Sequence, residues 1–92
     1  MRIRYLTSFT RTFEYLSQQE QTKTADTISE LVNFLDKKTH PSKGLGVKKL
    51  RKNLYEVRVN IKTRILFKIL PDLIAFVIIG SHDEIKRYLN NL

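Results

Sequence analysis

Residues 43–68 read KGLGVKKLRKNLYEVRVNIKTRILFK, and this stretch decides the fold of the chain. Apolar residues alternate there with charged or polar ones, which is the two-residue period of a β-strand. The stretch holds nine Lys and Arg residues and one acid, Glu56, so it carries the whole formal net charge of +8. A sheet with such a concentrated basic surface predicts a negatively charged partner, either a nucleic acid or an acidic protein.

The alternation predicts three or four consecutive strands, which share the second half of the chain. Their predicted ranges are Val47–Lys52, Leu54–Asn60, Thr63–Leu70 and Leu73–Gly80. The last strand is apolar on both faces, which predicts a position inside the sheet rather than at its edge. Pro71 and Asp72 are typical of a tight turn between the last two strands.

The first 46 residues predict a short strand, Arg2–Thr7, followed by two helices and a loop. Ser8 is the expected N-cap of the first helix, whose apolar stripe is formed by Phe9, Phe13 and Leu16. Residues 17–21 are polar and predict a break, and residues 37–46 predict a loop. The second helix is expected to end at about Asp36, and five residues form its apolar face: Ala25, Ile28, Leu31, Val32 and Leu35.

The end of the chain predicts a short helix. Ser81 and Glu84 have the spacing of a capping box, and an amphipathic pattern follows to Leu92. The expected fold is therefore α+β: an N-terminal strand, a helical hairpin, an antiparallel sheet of three to four strands and a C-terminal helix, in one domain over residues 1–92. We expect the helices to cover one face of the sheet and four charged side chains to emerge from the other, namely Glu56, Arg58, Arg64 and Lys68.

The composition excludes several classes of protein. There is no cysteine, so neither a disulfide framework nor thiolate chemistry is expected, and the composition suits the cytosol. The longest apolar run, Leu73–Ile79, is too short to span a bilayer, and the N-terminus lacks the apolar core of a signal peptide. A cytoplasmic protein with no membrane partner is expected.

Four motifs resemble the RelE/ParE superfamily of toxins from bacterial type II toxin–antitoxin pairs. They are Lys49–Leu50, LYEVRV at Leu54–Val59, TRILF at Thr63–Phe67 and IGSHDEI at Ile79–Ile85. The order of strand, helical hairpin and antiparallel sheet matches as well. The resemblance implies a toxin that a cognate antitoxin neutralises.

The RelE-like branch implies a ribosome-dependent endoribonuclease that cleaves mRNA in the A site, with no metal and no cofactor. In that reaction the ribose 2′-OH attacks the adjacent phosphorus and leaves a cyclic phosphate and a free 5′-OH. The resemblance implies that Arg64 contacts the scissile phosphate, with Arg58 beside it on the neighbouring strand, since a guanidinium binds phosphoryl oxygens well. His82 is the implied acid or base. Glu56 is a candidate base, or an ion-pair partner of one of the two arginines.

Five further basic residues are expected to bind flanking RNA backbone or ribosomal RNA: Lys48, Lys49, Arg51, Lys52 and Lys68. Two alternatives stay open. A ParE-like protein would use the same basic surface to inhibit DNA gyrase without needing His82. A non-catalytic nucleic-acid-binding relative is the other, and Lys86 favours it because several members of the superfamily have a tyrosine there.

Overall fold

The computed structural model describes residues 1–37 and 45–92, which form five strands and three helices. In chain order these elements are β1 (Arg2–Tyr5), α1 (Thr7–Glu14), α2 (Gln18–Asp36), β2 (Val47–Arg51), β3 (Leu54–Arg58), β4 (Arg64–Leu70), β5 (Leu73–Gly80) and α3 (His82–Asn90). The predicted α+β class is confirmed, with four consecutive strands in the second half of the chain. Most of the predicted loop over residues 37–46, including His40 and Lys43, lies outside the described residues.

All five strands join one sheet, in the order β1-β5-β4-β3-β2. Neighbouring strands from β2 to β5 pair antiparallel, whereas β1 pairs parallel with β5. The flanks of β5 are therefore both occupied, as its apolar sequence predicted. Pro71 and Asp72 form the expected two-residue turn, since Leu70 lies opposite Leu73.

The first face of the sheet packs against α1 and α2 and carries the larger apolar core. Phe67 and Phe76, on adjacent strands, are fully buried there with their ring centroids 6.1 Å apart. Phe9 of α1 and Leu31 of α2 contribute to the same cluster. This core follows from the odd-numbered apolar positions of β3 and β4, which all point to one side because side chains alternate along a strand.

The second face is covered by α3, which corrects the expectation that all helices lie on one side. Ile85 of α3 is 2% exposed and belongs to a second buried cluster with Leu54, Leu66, Val77 and Ile78. A β-bulge supplies part of it: Leu66 lies opposite Ile78 and Phe67 opposite Phe76, so Val77 is the extra residue. The bulge leaves two consecutive apolar side chains of β5 in this cluster, and α3 excludes water from them.

The start of α1 differs from the prediction. Leu6 is the N-cap and makes no capping hydrogen bond through its side chain. Ser8 lies inside the helix and donates its hydroxyl to the carbonyl of Val77, at 2.6 Å. The helix begins one residue before Ser8, so Ser8 cannot cap it, and its bond to β5 fastens α1 to the sheet instead.

The polar segment over residues 17–21 is not a break but the start of α2. The Ser17 hydroxyl accepts from the backbone N–H of Glu20, and the Glu20 carboxylate accepts from the backbone N–H of Ser17. This is a capping box, which satisfies N–H groups that otherwise have no partner at the start of a helix. The predicted capping box of Ser81 and Glu84 is confirmed at the start of α3.

Two further turns fix the strand ends. Asn60 accepts through its side-chain oxygen from the backbone N–H groups of Lys62 and Thr63, which closes the turn between β3 and β4. Asn53 adopts a positive φ of 66° between β2 and β3, a conformation in which asparagine is tolerated better than most residues.

Among residues 1–37 and 45–92, no helix combines the length and apolar character needed to cross a membrane.

We predict that Ile85→Ala destabilises the protein by about 2–4 kcal/mol, because the truncation leaves a cavity between α3 and the sheet. Leu92→Ala is the matched control, since Leu92 is 70% exposed just beyond the same helix. Urea denaturation of both variants measures the difference. Equal, small losses of unfolding free energy would contradict the placement of α3 on the second face.

A second prediction concerns pH. Hydrogen bonds from the backbone N–H and then the hydroxyl of Ser81 lower the pKa of Glu84 from its ordinary value of 4.5. A lowered pKa in the folded state adds stability above the unfolded pKa, and this contribution is lost as the pH falls through the folded value. Wild type should therefore be more stable than Glu84→Gln at pH 6, and this difference in stability should become smaller at pH 3. Urea midpoints of both proteins at the two pH values measure the difference. A difference that does not change with pH would contradict the prediction.

Candidate nucleic-acid interface

Arg58 and Arg64 lie side by side at one end of the sheet. Arg58 is the last residue of β3, Arg64 is the first of β4, and the two are directly opposite each other in the register. Directly opposed residues of an antiparallel pair point to the same face, so the Cβ atoms of both arginines point to the face that α3 partly covers. The sequence-based expectation that antiparallel pairing brings these two arginines together is confirmed.

Glycines flank this arginine pair on both sides. Gly80 of β5 is the register partner of Arg64. On the other side, a Cβ added to Gly46 would lie 3.4 Å from the Cβ and 3.6 Å from the Nε of Arg58. These are ordinary van der Waals distances, so the Arg58 side chain lies against the backbone at Gly46. Gly46 also has a φ of 65°, a conformation that glycine adopts without strain.

Gly80 allows the first turn of α3 to pack closely against β5. A Cβ at Gly80 would come within 3.0 Å of the Glu84 Cβ, so a larger residue would push the first turn of α3 away from the strand. The helix then crosses the face diagonally from Gly80 of β5 towards β2. At its far end, Arg51 of β2 donates through Nη1 to the carbonyl of Leu89, at 3.3 Å.

Glu56 lies within the same face, but it does not emerge from it as expected. Glu56 is 3% exposed, and its Oε1 lies 3.6 Å from Nη1 of Arg64. At that distance the two groups form an ion pair, but they are too far apart for a good hydrogen bond. The register places Lys48 and Leu66 on either side of Glu56.

The environment of the two arginines differs. The side chain of Arg64 is 25% exposed, and its Nε is buried without a hydrogen-bond partner among the described residues. Arg58 is exposed, and no carboxylate of the described residues forms an ion pair with it. Arg64 is thus held against an acid, whereas Arg58 is the cation available to a ligand.

The five other predicted basic residues do not form one surface. Lys48 shares the face of the arginine pair, whereas Lys49, the next residue, points to the opposite face. Arg51 is bonded to the end of α3, where a cation also interacts favourably with the helix dipole. Lys52 lies in the turn after β2.

Lys68 is separated from the arginine pair. It lies four residues beyond Arg64 on the same strand, a distance of roughly 13 Å at the rise of a β-strand. Its register partners are Leu54 and Ala75, so it lies in the row of Arg51, at the far end of α3 from Gly80. The structure therefore brings Lys48, Arg58 and Arg64 together around Glu56 and leaves Lys68 apart from them.

His82 is the first residue of α3 and is exposed. It follows Gly80, the register partner of Arg64, by two residues. This short connection keeps the imidazole at the same end of the sheet as the two arginines. Within the described part of the chain, no three His, Cys, Asp or Glu side chains come together as a metal site would require.

Sequence reasoning missed a cleft on the other side of Arg58. A cavity of about 860 Å³ lies between α2 and the end of β3, and Arg58 and Val59 line it. Its α2 wall is polar and consists of Gln18, Gln19, Thr22, Lys23, Asp26, Thr27 and Glu30. Most of these residues lie off the apolar stripe of α2, and nothing in the sequence indicates which part of the chain they face.

We predict that Gly46→Ala weakens binding of a single-stranded oligonucleotide, because alanine is strained at a φ of 65° and the backbone against which the Arg58 side chain lies must shift. The slope of log Kd against log salt should fall by up to about 0.7, the share of one phosphate contact on a single strand. Asn53→Ala is the matched control, since it also strains a positive φ but lies away from Arg58. Fluorescence anisotropy at several salt concentrations measures both variants, and equal slopes would contradict the prediction.

Comparison with known proteins rests on structure alone. No protein-family profile matches the sequence, and no curated protein matches it. A chain of the RelB–RelE antitoxin–toxin complex from Methanococcus jannaschii superimposes with a TM-score of 0.71 at 18% identity, covering 92% of this chain and 96% of that one.

Two further structures give similar values. YoeB from Staphylococcus aureus, solved as a dimer, has a TM-score of 0.67 at 21% identity and covers 89% of this chain and 97% of its own. YafQ from E. coli has a TM-score of 0.66 at 19% identity, with 92% and 98% covered. The chain described here therefore has the RelE-like toxin fold over nearly its whole length.

Proposed function

We propose that this protein is the toxin of a type II toxin–antitoxin pair, and that it is a ribosome-dependent endoribonuclease. The observation that carries the proposal is the register of Arg58 against Arg64. Like charges directly opposite each other in a sheet are destabilising, so a phosphate that binds both offsets a cost present in the free protein. The fold likeness to RelE, YafQ and YoeB supports the same class of function.

The proposed reaction needs no group beyond the RNA and the protein. The 2′-oxygen of the ribose attacks the adjacent phosphorus while its proton passes to a base. The bond from phosphorus to the 5′-oxygen then breaks, that oxygen takes up a proton, and the products are a 2′,3′-cyclic phosphate and a 5′-OH. Negative charge grows on the phosphoryl oxygens in between, where fixed cations stabilise it most.

Arg58 and Arg64 are the proposed partners of those oxygens, because each guanidinium can donate two parallel hydrogen bonds. Lys48, on the same face, is suited to the neighbouring phosphate. His82 is the proposed proton carrier, since an imidazole exchanges protons near neutral pH. Its position at the start of α3 holds it close to the row of Arg64 and Gly80.

The proposed partner is an antitoxin with an acidic segment. The surface formed by Lys48, Arg58 and Arg64 carries three cations around one buried acid, so an acidic segment complements it in charge. An antitoxin that covers this surface blocks access of RNA to both arginines. The structures of the RelB–RelE complex and of the DinJ–YafQ complex show toxins of this fold bound to antitoxins.

The test is a cell-free translation reaction with a defined message, in which new 5′ ends are mapped. Wild type should produce cuts in the A-site codon, and Arg64→Ala should reduce them at least about 100-fold, since loss of one transition-state donor has that effect. His82→Ala should reduce the rate by about 10²–10⁴, the usual contribution of a general acid or base.

Lys68→Ala is the matched control, because it removes one positive charge from the same strand, roughly 13 Å from Arg64. It should cleave close to the wild-type rate. A message with 2′-deoxyribose at the cut position should stay intact, since it lacks the attacking oxygen. Absence of cuts together with inhibition of DNA gyrase in a supercoiling assay would overturn the ribonuclease proposal in favour of the ParE-like alternative.

A further inference from the structure

Glu56 carries a buried charge, and the proposed reaction assigns it no role. It is the only acid within residues 43–68, and its side chain is 4% exposed. A carboxylate is almost never buried without a partner, because removing it from water costs more free energy than an uncharged side chain would. The ion pair that the structure gives Glu56 is with Arg64, from Oε1 to Nη1 at 3.6 Å.

The burial of Glu56 argues against a role as the base. A general base must lie within hydrogen-bonding distance of the proton that it takes, so the ribose 2′-OH would have to reach the carboxylate. Its neighbours leave little access: Leu66 lies beside it in the register, under the apolar contacts of α3, and the Arg64 guanidinium lies against its oxygen. An exposed group such as His82 meets the geometric requirement better.

We infer that Glu56 is a positioning residue, which holds the guanidinium of Arg64 in place before RNA binds. An arginine side chain has many rotamers, and fixing one of them beforehand lowers the entropic cost of binding and of reaching the transition state. This inference rests on the proposed function, because it assigns Glu56 a task within the same phosphate site.

The remaining donors of Arg64 agree with this role. Glu56 engages Nη1, whereas Nε is buried and has no acceptor among the described residues. The hydrogen bonds of the guanidinium are therefore incomplete in the free protein. The Arg64 side chain is 25% exposed, so a phosphate oxygen can accept from the N–H groups that face solvent, and Glu56 fixes the direction from which the guanidinium meets it.

The two arginines then have different tasks. Arg64 is held by the acid and meets the phosphate in a fixed orientation. Arg58 has no carboxylate partner among the described residues and lies across Gly46, so it can adjust to the substrate. One fixed and one adjustable guanidinium can both stay bound to a phosphate whose geometry changes during the reaction.

Glu56→Gln separates positioning from base catalysis. The amide keeps the size of the side chain and an oxygen beside Nη1, but it carries no charge and cannot take a proton at neutral pH. A positioning residue predicts at most about a tenfold loss of cleavage, from the weaker contact with Arg64, and an unchanged pH profile. A general base predicts a loss of about 10²–10⁴ and a profile without its acidic limb, which would overturn the inference.

Glu56→Leu removes the acceptor and should lower kcat/KM at least about tenfold, with no further loss when it is combined with Arg64→Ala. Independent, additive losses in that double-mutant cycle would overturn the inference, because the two residues would then act separately. Asp72→Asn is the matched control for charge, since Asp72 is an exposed acid paired with Arg2 at the opposite end of β5.

A readout without activity keeps the inference testable if the protein cleaves no RNA. The ¹H–¹⁵N signal of Arg64 Nε should stay sharp in wild type and in Glu56→Gln, and it should broaden or move in Glu56→Leu. An unchanged signal in a folded Glu56→Leu variant would show that Glu56 does not hold Arg64. Absence of cleavage by wild type, with the expected change of this signal, would instead overturn the proposed function and leave the positioning role in place.

Discussion

The burial of β5 on both faces is the constraint on which the rest of this structure depends. Its residues Ile74–Ile79 are all buried, so neither side of the strand can face water. Apolar surface must be covered on each side, which forces a layer of helices onto both faces of the sheet. The helical hairpin covers one face, and α3 covers the other, where the bulge at Val77 adds a further apolar side chain.

The position of the candidate site follows from how α3 covers the second face. The helix starts directly after Gly80 and ends near Arg51, so it crosses the face as a diagonal. It leaves uncovered the corner where β3 ends and β4 begins, which is where Arg58 and Arg64 lie. Lys68 lies four residues along β4 from Arg64, roughly 13 Å away, so it is not part of this corner.

The elements of the sheet could be predicted from the sequence because alternation and turn residues are local signals. The pairing of Arg58 with Arg64 could be predicted for the same reason, since a short turn at residues 60–62 fixes the register of the strands beside it.

Contacts between distant segments could not be predicted in this way. Serine is a common N-cap residue, but Ser8 donates its hydroxyl to a carbonyl 69 residues away. Arg51 likewise donates to a carbonyl 38 residues away. The amphipathic pattern of α3 predicted a helix with one apolar side, but not the face of the sheet that it covers. For Glu56, the alternation gave the correct face but not the burial, because burial depends on where α3 lies.

The acid at position 56 links the fold to the chemistry. Two arginines placed opposite each other repel, and a buried carboxylate two residues along β3 reduces that repulsion by pairing with one of them. Because the carboxylate pairs with Arg64 rather than Arg58, the corner keeps one fully available positive charge and one that is fixed in direction. The burial of Glu56 keeps water from competing for its carboxylate, since an ion pair is stronger where solvent is excluded. Leu66, its register partner, packs in the cluster that contains Ile85 of α3, so the apolar contacts of the second face and the ion pair that orients Arg64 are neighbours in one corner of the sheet.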